Sequence, residues 1–100
     1  MNKYVAVGFD PEEIGTLRNF LKAMNGIHII TISDEEIEDD IRFVETTKTA
    51  VINRIVLHND GEVESFKNIM SAFFSDKEYK ITDDPDDESF KKWLKEKEAR

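Results

Sequence analysis

The sequence predicts an α/β domain made of two similar halves, each with the order strand, helix, strand, helix. Three observations indicate this class: apolar runs of strand length, apolar residues at helical spacing between those runs, and a match of the two halves at an offset of 49 residues. We therefore expect a four-stranded, mostly parallel sheet with strand order 2-1-3-4 and helices on both faces. The repeats would be residues 1–49 and 50–100 of a single domain, residues 1–100.

The repeat is clearest in the first helix of each half. When the halves are superposed, two sets of five apolar residues coincide, and each set lies on one face of a helix. The two sets are Ile14, Leu17, Phe20, Leu21 and Met24, and Val63, Phe66, Ile69, Met70 and Phe73. Further along, Ile41 and Val44 coincide with Phe90 and Trp93 of a helix predicted over residues 85–98. The second helix of each half is therefore also expected to bury one apolar stripe.

Two different patterns among the predicted strands indicate which of them are central. Residues 4–9 (YVAVGF) and 54–58 (RIVLH) are nearly continuous apolar runs, typical of strands covered on both faces. Residues 27–32 (IHIITI) and 78–82 (EYKIT) are mixed or alternating, which is typical of edge strands. Right-handed crossovers then give the order 2-1-3-4, and the polar residues 45–53 are predicted to be a loop.

A ferredoxin-like α+β sandwich with extra helices is the alternative fold. It places the same two strands in the middle of an antiparallel sheet, in the order 4-1-3-2. It would leave one sheet face less covered and would make the helix after the second strand an insertion. For these two reasons the parallel sheet is favoured.

Many of the acidic residues cluster where a predicted strand runs into a helix. Ser33 and Glu36 have the spacing of a capping box, and Asp84 precedes Pro85 as a cap precedes the first helical position. Acidic side chains in a first helical turn stabilise the helix by roughly 0.3 to 1 kcal/mol each. The stretch KITDDPDDESF (80–90) lacks the glycine of a calcium-binding loop. We therefore interpret these carboxylates as helix starts.

The first of these junctions reads VGFDPEEIGTLRNFL, a Gly-Phe-x-x-Glu-Glu pattern followed by leucines at helical spacing. Over residues 4–24 this pattern resembles the strand-to-helix start of an uncharacterised family of small bacterial α/β proteins of unknown function. The resemblance implies an α/β fold for this region. It implies no activity, cofactor or ligand.

The composition argues against several classes of function. Fourteen basic residues against 22 acidic ones give a net charge of −8, and no basic patch is present that would attract nucleic acid. No apolar run approaches the ~18 residues of a membrane span, and the lack of cysteine suits a reducing cytoplasm. With two histidines and no cysteine, no Ser-His-Asp or Cys-His set can be assembled. We therefore expect a cytoplasmic protein without a cofactor, and an enzyme is the less favoured class.

These observations favour a small acidic, non-catalytic interaction or regulatory module that binds another protein or a copy of itself. Aromatic residues on the last two helices are the candidate contacts, because aromatic side chains often dominate binding energy. Of the pair Phe73 and Phe74, the second extends beyond the apolar stripe of its helix. Phe74 and Trp93 are therefore the predicted interface residues.

A divalent metal or a phosphoryl ligand, bound at the C-terminal ends of the first and third strands, is the alternative function. In a parallel sheet these ends adjoin, which would bring Asp10 close to His58, Asn59 and Asp60. Carboxylate and amide oxygens suit Mg²⁺, and nearby helix N-termini favour a phosphate. These four residues are the predicted ligand-binding set, and they do not identify the metal.

Overall fold

Within residues 2–98, which the computed structural model describes, the chain forms three strands, four α-helices and one 3-10 turn. In chain order the elements are β1 (Lys3–Phe9), the 3-10 turn (Pro11–Glu13), α1 (Ile14–Gly26), α2 (Asp34–Thr47), β2 (Val51–Leu57), α3 (Asp60–Phe73), β3 (Tyr79–Thr82) and α4 (Glu88–Glu98). None of these helices is long and apolar enough to cross a membrane. The predicted domain limits, residues 1 and 100, lie outside the described residues.

The strands form an antiparallel sheet, not the parallel sheet that the sequence predicts. Its order is β2-β1-β3, and β1 is antiparallel to both neighbours. The predicted α/β fold with four mostly parallel strands in the order 2-1-3-4 is therefore wrong. The ferredoxin-like alternative agrees with the structure in its α+β class, its antiparallel sheet and the neighbours 4-1-3 of its strand order, but its second strand, residues 27–32, is absent. The fold is a small α+β fold with one central strand and two edge strands.

The sheet has one strand fewer than predicted because residues 27–32 do not form a strand. Helix α1 instead ends in a Schellman motif: the amide of His28 donates to the carbonyl of Asn25 at 3.1 Å, and the amide of Ile29 donates to that of Met24 at 3.0 Å. His28 takes the left-handed conformation of this motif, with a φ of 60°, where glycine is usual. The segment packs against the core without pairing to a strand. No parallel crossover forms, and β1 pairs directly with β2.

Other element boundaries also differ from the predictions. Residues 45–53, predicted as a loop, contain the end of α2 and the start of β2. That strand lies at an edge of the sheet, not in its middle. At the C-terminus, α4 begins at Glu88 instead of Pro85, since Asp84 forms a separate turn in which its carboxylate accepts from the amide of Asp86 at 2.9 Å.

One face of the sheet supports the main core. The alternate β1 residues Val5, Val7 and Phe9 point to this face and are at most 2% exposed. Helices α1, α2 and α3 cover the face, and the ring of Phe20 packs against those of Phe9 and Phe74 at centroid distances of 5.2 and 5.7 Å. The buried residues of these helices are Leu17, Phe20, Leu21, Met24, Ile37, Ile41, Val44, Phe66 and Met70.

Helix α4 covers the opposite face of the sheet. Ala6 and Gly8 point to this face; Ala6 is fully buried, and a side chain at Gly8 would contact Lys97 of α4. The helix contributes one buried residue, Phe90, while its Trp93 is half-buried. Helices therefore lie on both faces of this antiparallel sheet, but the two faces bury very different numbers of apolar side chains.

Candidate functional site

The four residues predicted to bind a ligand lie at opposite ends of the sheet. Asp10 follows the last residue of β1, which pairs with the first residue of β2. His58, Asn59 and Asp60 follow the last residue of β2, which pairs with the first residue of β1. Because a strand of seven residues spans about 20 Å, Asp10 is separated from the other three by roughly that distance. The antiparallel sheet therefore divides the predicted site in two.

At the junction of β2 and α3, the predicted ligands stabilise the start of the helix. The Asn59 side chain accepts a hydrogen bond from the backbone amide of Glu62 at 2.9 Å, as an N-cap does. The Glu62 carboxylate accepts from the His58 backbone amide at 2.7 Å and lies 3.1 Å from His58 Nδ1. The bond from the His58 backbone lowers the pKa of Glu62, and the contact with the His58 ring lowers it further. Helix capping thus accounts for these polar contacts without a ligand.

Asp10 has a structural role of the same kind at the other end of the sheet. Its backbone amide donates to the carboxylate of Glu13 at 2.8 Å, and its carbonyl accepts from the amide of Glu13 at 2.9 Å, which closes the 3-10 turn. Within residues 2–98, no group of three or more histidine, aspartate and glutamate side chains is arranged to hold a metal ion. The four residues predicted for the metal or phosphoryl alternative are therefore not brought together in one site.

A charged cleft of about 270 Å³ lies between this turn, the start of β2 and the segment before β3. On its wall, Lys77 Nζ is 3.0 Å from both carboxylate oxygens of Glu13 and 4.7 Å from the centre of the Phe9 ring. Burial acts to raise the pKa of Glu13, but hydrogen bonds from the Asp10 backbone and from Lys77 outweigh it and lower that pKa. Glu13 is therefore an ionised partner of Lys77 and not a base poised near neutral pH.

A second lysine lines the same cleft from the side of α4. The Nζ of Lys97 is 2.7 Å from the carboxylate of Glu78 and 5.3 Å from the centre of the Trp93 ring. Both cleft lysines thus pair with a carboxylate. We interpret the cleft as a set of contacts that attach α4 and the segment before β3 to the sheet.

The most exposed aromatic side chains are not the ones selected from the sequence. Phe74 is 5% exposed, because it packs edge-on against Phe20 in the core, and Trp93 is half-buried. Phe73 and Phe43, by contrast, are 73% and 64% exposed. Sequence reasoning missed Phe43, which lies in an acidic helix and outside the apolar stripe of that helix. That combination is the signal that would have identified it.

Phe43 belongs to the most acidic helix of the fold. Helix α2 contains seven acidic residues and one arginine, a net charge of −6 in a chain whose net charge is −8. The spacing of Glu36, Asp40 and Phe43 places these three residues on one side of the helix. On that side, a groove of about 150 Å³ separates α2 from β2. We refer to the surface lined by Leu17, Leu21, Asp40, Phe43, Val44, Val51 and Asn53 as the α2–β2 groove.

Asn53 gives this largely apolar groove an unpaired polar group. The residue lies on the core-facing side of β2, opposite Val7 of β1. Its Nδ2 is shielded from solvent and has no hydrogen-bond partner among the residues that the structure describes. Leaving a shielded donor unpaired costs about 1–3 kcal/mol. An apolar residue at this position would serve the fold better, so folding alone does not explain the asparagine.

Comparisons of the chain with protein-family models, with curated proteins and with solved structures found no match. The resemblance of residues 4–24 to a family of small bacterial proteins therefore stays a prediction.

Proposed function

We propose that this chain is a small cytosolic, non-catalytic interaction module whose binding surface is the α2–β2 groove together with the acidic side of α2. The observation that supports this best is Phe43, which is 64% exposed beside an apolar groove on the most acidic helix. Burying such a side chain stabilises a complex by about 1.5–3 kcal/mol. Aromatic residues also dominate the binding energy of many interfaces.

The chemistry of the two surfaces favours binding over catalysis. In the charged cleft, Glu13 and Lys77 pair with each other, so neither is available as an activated nucleophile or base. The polar side chains of the α2–β2 groove are one carboxylate, Asp40, and one amide, Asn53. Neither is paired with a nucleophile, whereas apolar walls with few polar groups are typical of binding sites. The cytosolic placement rests on the lack of cysteine, which suits a reducing compartment.

Site-specific photo-crosslinking tests this function. A benzophenone-bearing amino acid replaces Phe43 in one variant and Phe73 in a matched control, because both are strongly exposed phenylalanines on helices. In an extract of cells that produce the protein, the Phe43 variant should give a discrete adduct that the Phe73 variant does not give. Light scattering over a dilution series then shows whether the adduct is a second copy of the chain.

Two results would contradict the proposed function. One is a Phe43 variant that gives no adduct above the background of irradiated extract. The other is the same adduct pattern from both positions, since a specific surface should distinguish two side chains of equal chemistry on different helices.

A further inference from the structure

The outer edge of β2 is an unpaired strand edge beside the α2–β2 groove. The strand has seven residues, and within residues 2–98 no other strand pairs with its outer side. The other edge strand, β3, has four residues. Very short edge strands are one way in which proteins prevent pairing with other chains, so β2 is the edge more open to an added strand.

The charge of α2 argues against a second copy of the chain as the occupant of this edge. If two β2 strands paired antiparallel about a two-fold axis perpendicular to the sheet, equivalent faces would lie on the same side. The two α2 helices would then be neighbours, each with seven acidic residues against one arginine. Like charges placed together weaken an interface, whereas a basic partner would be attracted to the same helix.

The groove itself indicates which side chains the occupant needs. Successive side chains of an added strand point alternately to the two sheet faces, so every second one faces α2. One of these would cover the apolar wall formed by Phe43 and Val51, and a neighbour on that face would meet the carboxylate of Asp40. The occupant also brings hydrogen-bond acceptors to a groove in which the Nδ2 of Asn53 has none.

We propose that the outer edge of β2 binds an extended, basic segment of another protein, which extends the sheet by one strand. The segment has a large apolar residue that lies in the α2–β2 groove and a lysine or arginine two residues away that pairs with the acidic side of α2. This inference rests on the proposed function and adds the chemical class of the partner and its backbone geometry.

Selection of short random peptides displayed on phage, with the full chain as bait, tests the chemistry of the partner. Enriched peptides should contain a large apolar residue with lysine or arginine two positions away. Binding of a selected synthetic peptide should weaken about tenfold in Asp40→Lys and remain unchanged in Glu64→Lys, a matched charge reversal on α3. Both replaced side chains are exposed, so both variants are expected to fold.

An N-methyl scan of the same synthetic peptide tests strand addition. An added strand donates hydrogen bonds to β2 from every second residue only. Methylation of one alternate set of amides should therefore weaken binding about tenfold per position, while methylation of the other set leaves it nearly unchanged. The modification is made on the peptide, so the fold of the protein is not altered.

Several results would overturn the inference: no peptide selected, selected peptides without a basic bias, equal tolerance of N-methylation at all positions, or a dimer of this chain paired through β2. The crosslinking experiment separates these failures from that of the proposed function. If Phe43 gives its specific adduct while the N-methyl scan is flat, the binding module stands and strand addition is wrong.

Discussion

The two faces of the sheet are stabilised by different kinds of contact. On one face, three helices bury a continuous apolar cluster. On the other, α4 buries one phenylalanine, and ion pairs such as Lys97–Glu78 and Arg54–Glu98 attach it to the sheet. An exposed ion pair such as Arg54–Glu98 contributes only about 0–1 kcal/mol, far less than a buried aromatic ring. Stability therefore depends mainly on the first face.

The largest effect is expected on the face that three helices cover. Phe20 is fully buried between two other rings, so Phe20→Ala should lower the free energy of unfolding by about 3–5 kcal/mol. Urea denaturation measures this change. Phe73→Ala is the matched control, and its loss should be below about 0.5 kcal/mol because that ring is exposed. Equal losses in the two variants would show that the core is not where the structure places it.

Removal of α4 should have the next largest effect. Truncation after Pro85 deletes Phe90 and the ion pairs of α4, and should lower the melting temperature by well over 10 °C, about 2–3 kcal/mol. Trp93→Ala should lower it less, because this side chain is only half-buried. Differential scanning calorimetry of the three chains provides the test. A truncated chain that melts within a degree or two of the full one would show that α4 is not part of the folded unit.

A smaller effect of opposite sign is expected at Asn53. Replacement by valine removes the unpaired amide and suits a strand, so Asn53→Val should raise the free energy of unfolding by about 1 kcal/mol. The same variant should bind a selected basic peptide more weakly than the wild type does. Urea denaturation and peptide titration measure the two changes. A destabilised Asn53→Val chain would mean that the amide has a partner in solution.

The smallest change in stability is expected at the charged cleft, which lies at one end of the sheet. The pKa of Glu13 is lowered in the folded chain, so its contribution is present above the unfolded pKa of about 4.3 and is lost as pH falls through the folded pKa. Glu13→Gln should therefore be less stable than wild type at pH 7. The two chains should converge once the pH is below the folded pKa of Glu13.

Thermal melts across this pH range measure the convergence. Glu64→Gln, an exposed carboxylate on α3, is the control. A gap between Glu13→Gln and wild type that stays constant with pH would show that the ion pair with Lys77 does not contribute to stability.

The helices of this fold could be predicted from the sequence because their signals are local. The stripe from Leu17 to Met24 is buried as its spacing predicts, and Ser33 caps α2 by accepting from the amide of Glu36 at 3.1 Å. The central position of β1 also follows from its continuous apolar run. Each of these features depends on residues within a few positions of one another.

The sheet could not be predicted in the same way, because pairing partners are distant in sequence. Residues 27–32 have the apolar content of a strand, yet His28 adopts a left-handed conformation and the segment closes α1. Residues 54–58 look central, but the alternate residues Arg54 and Val56 are exposed at an edge. Both errors arise because an apolar run does not identify the strand that pairs with it.

The candidate sites depend on the same distant pairings. Asp10 and His58 were expected to be neighbours only because a parallel sheet was expected, and the antiparallel register separates them. The contact of Glu13 with Lys77 joins residues 64 positions apart. Phe43 was detectable in principle, since it interrupts the polar side of α2 and has no apolar neighbour at helical spacing on that side.

The central position of β1 has a consequence for the time course of synthesis. This strand is made first, but its last pairing partner is β3, and its Lys3 contacts Asp83, 80 residues further along the chain. At about 5–20 residues per second, a ribosome needs roughly 4–16 s to make that length. During this interval the most apolar strand of the chain has one or both edges unpaired. A chain that stalls before β3 therefore exposes an unpaired edge of β1, which is open to pairing with other chains.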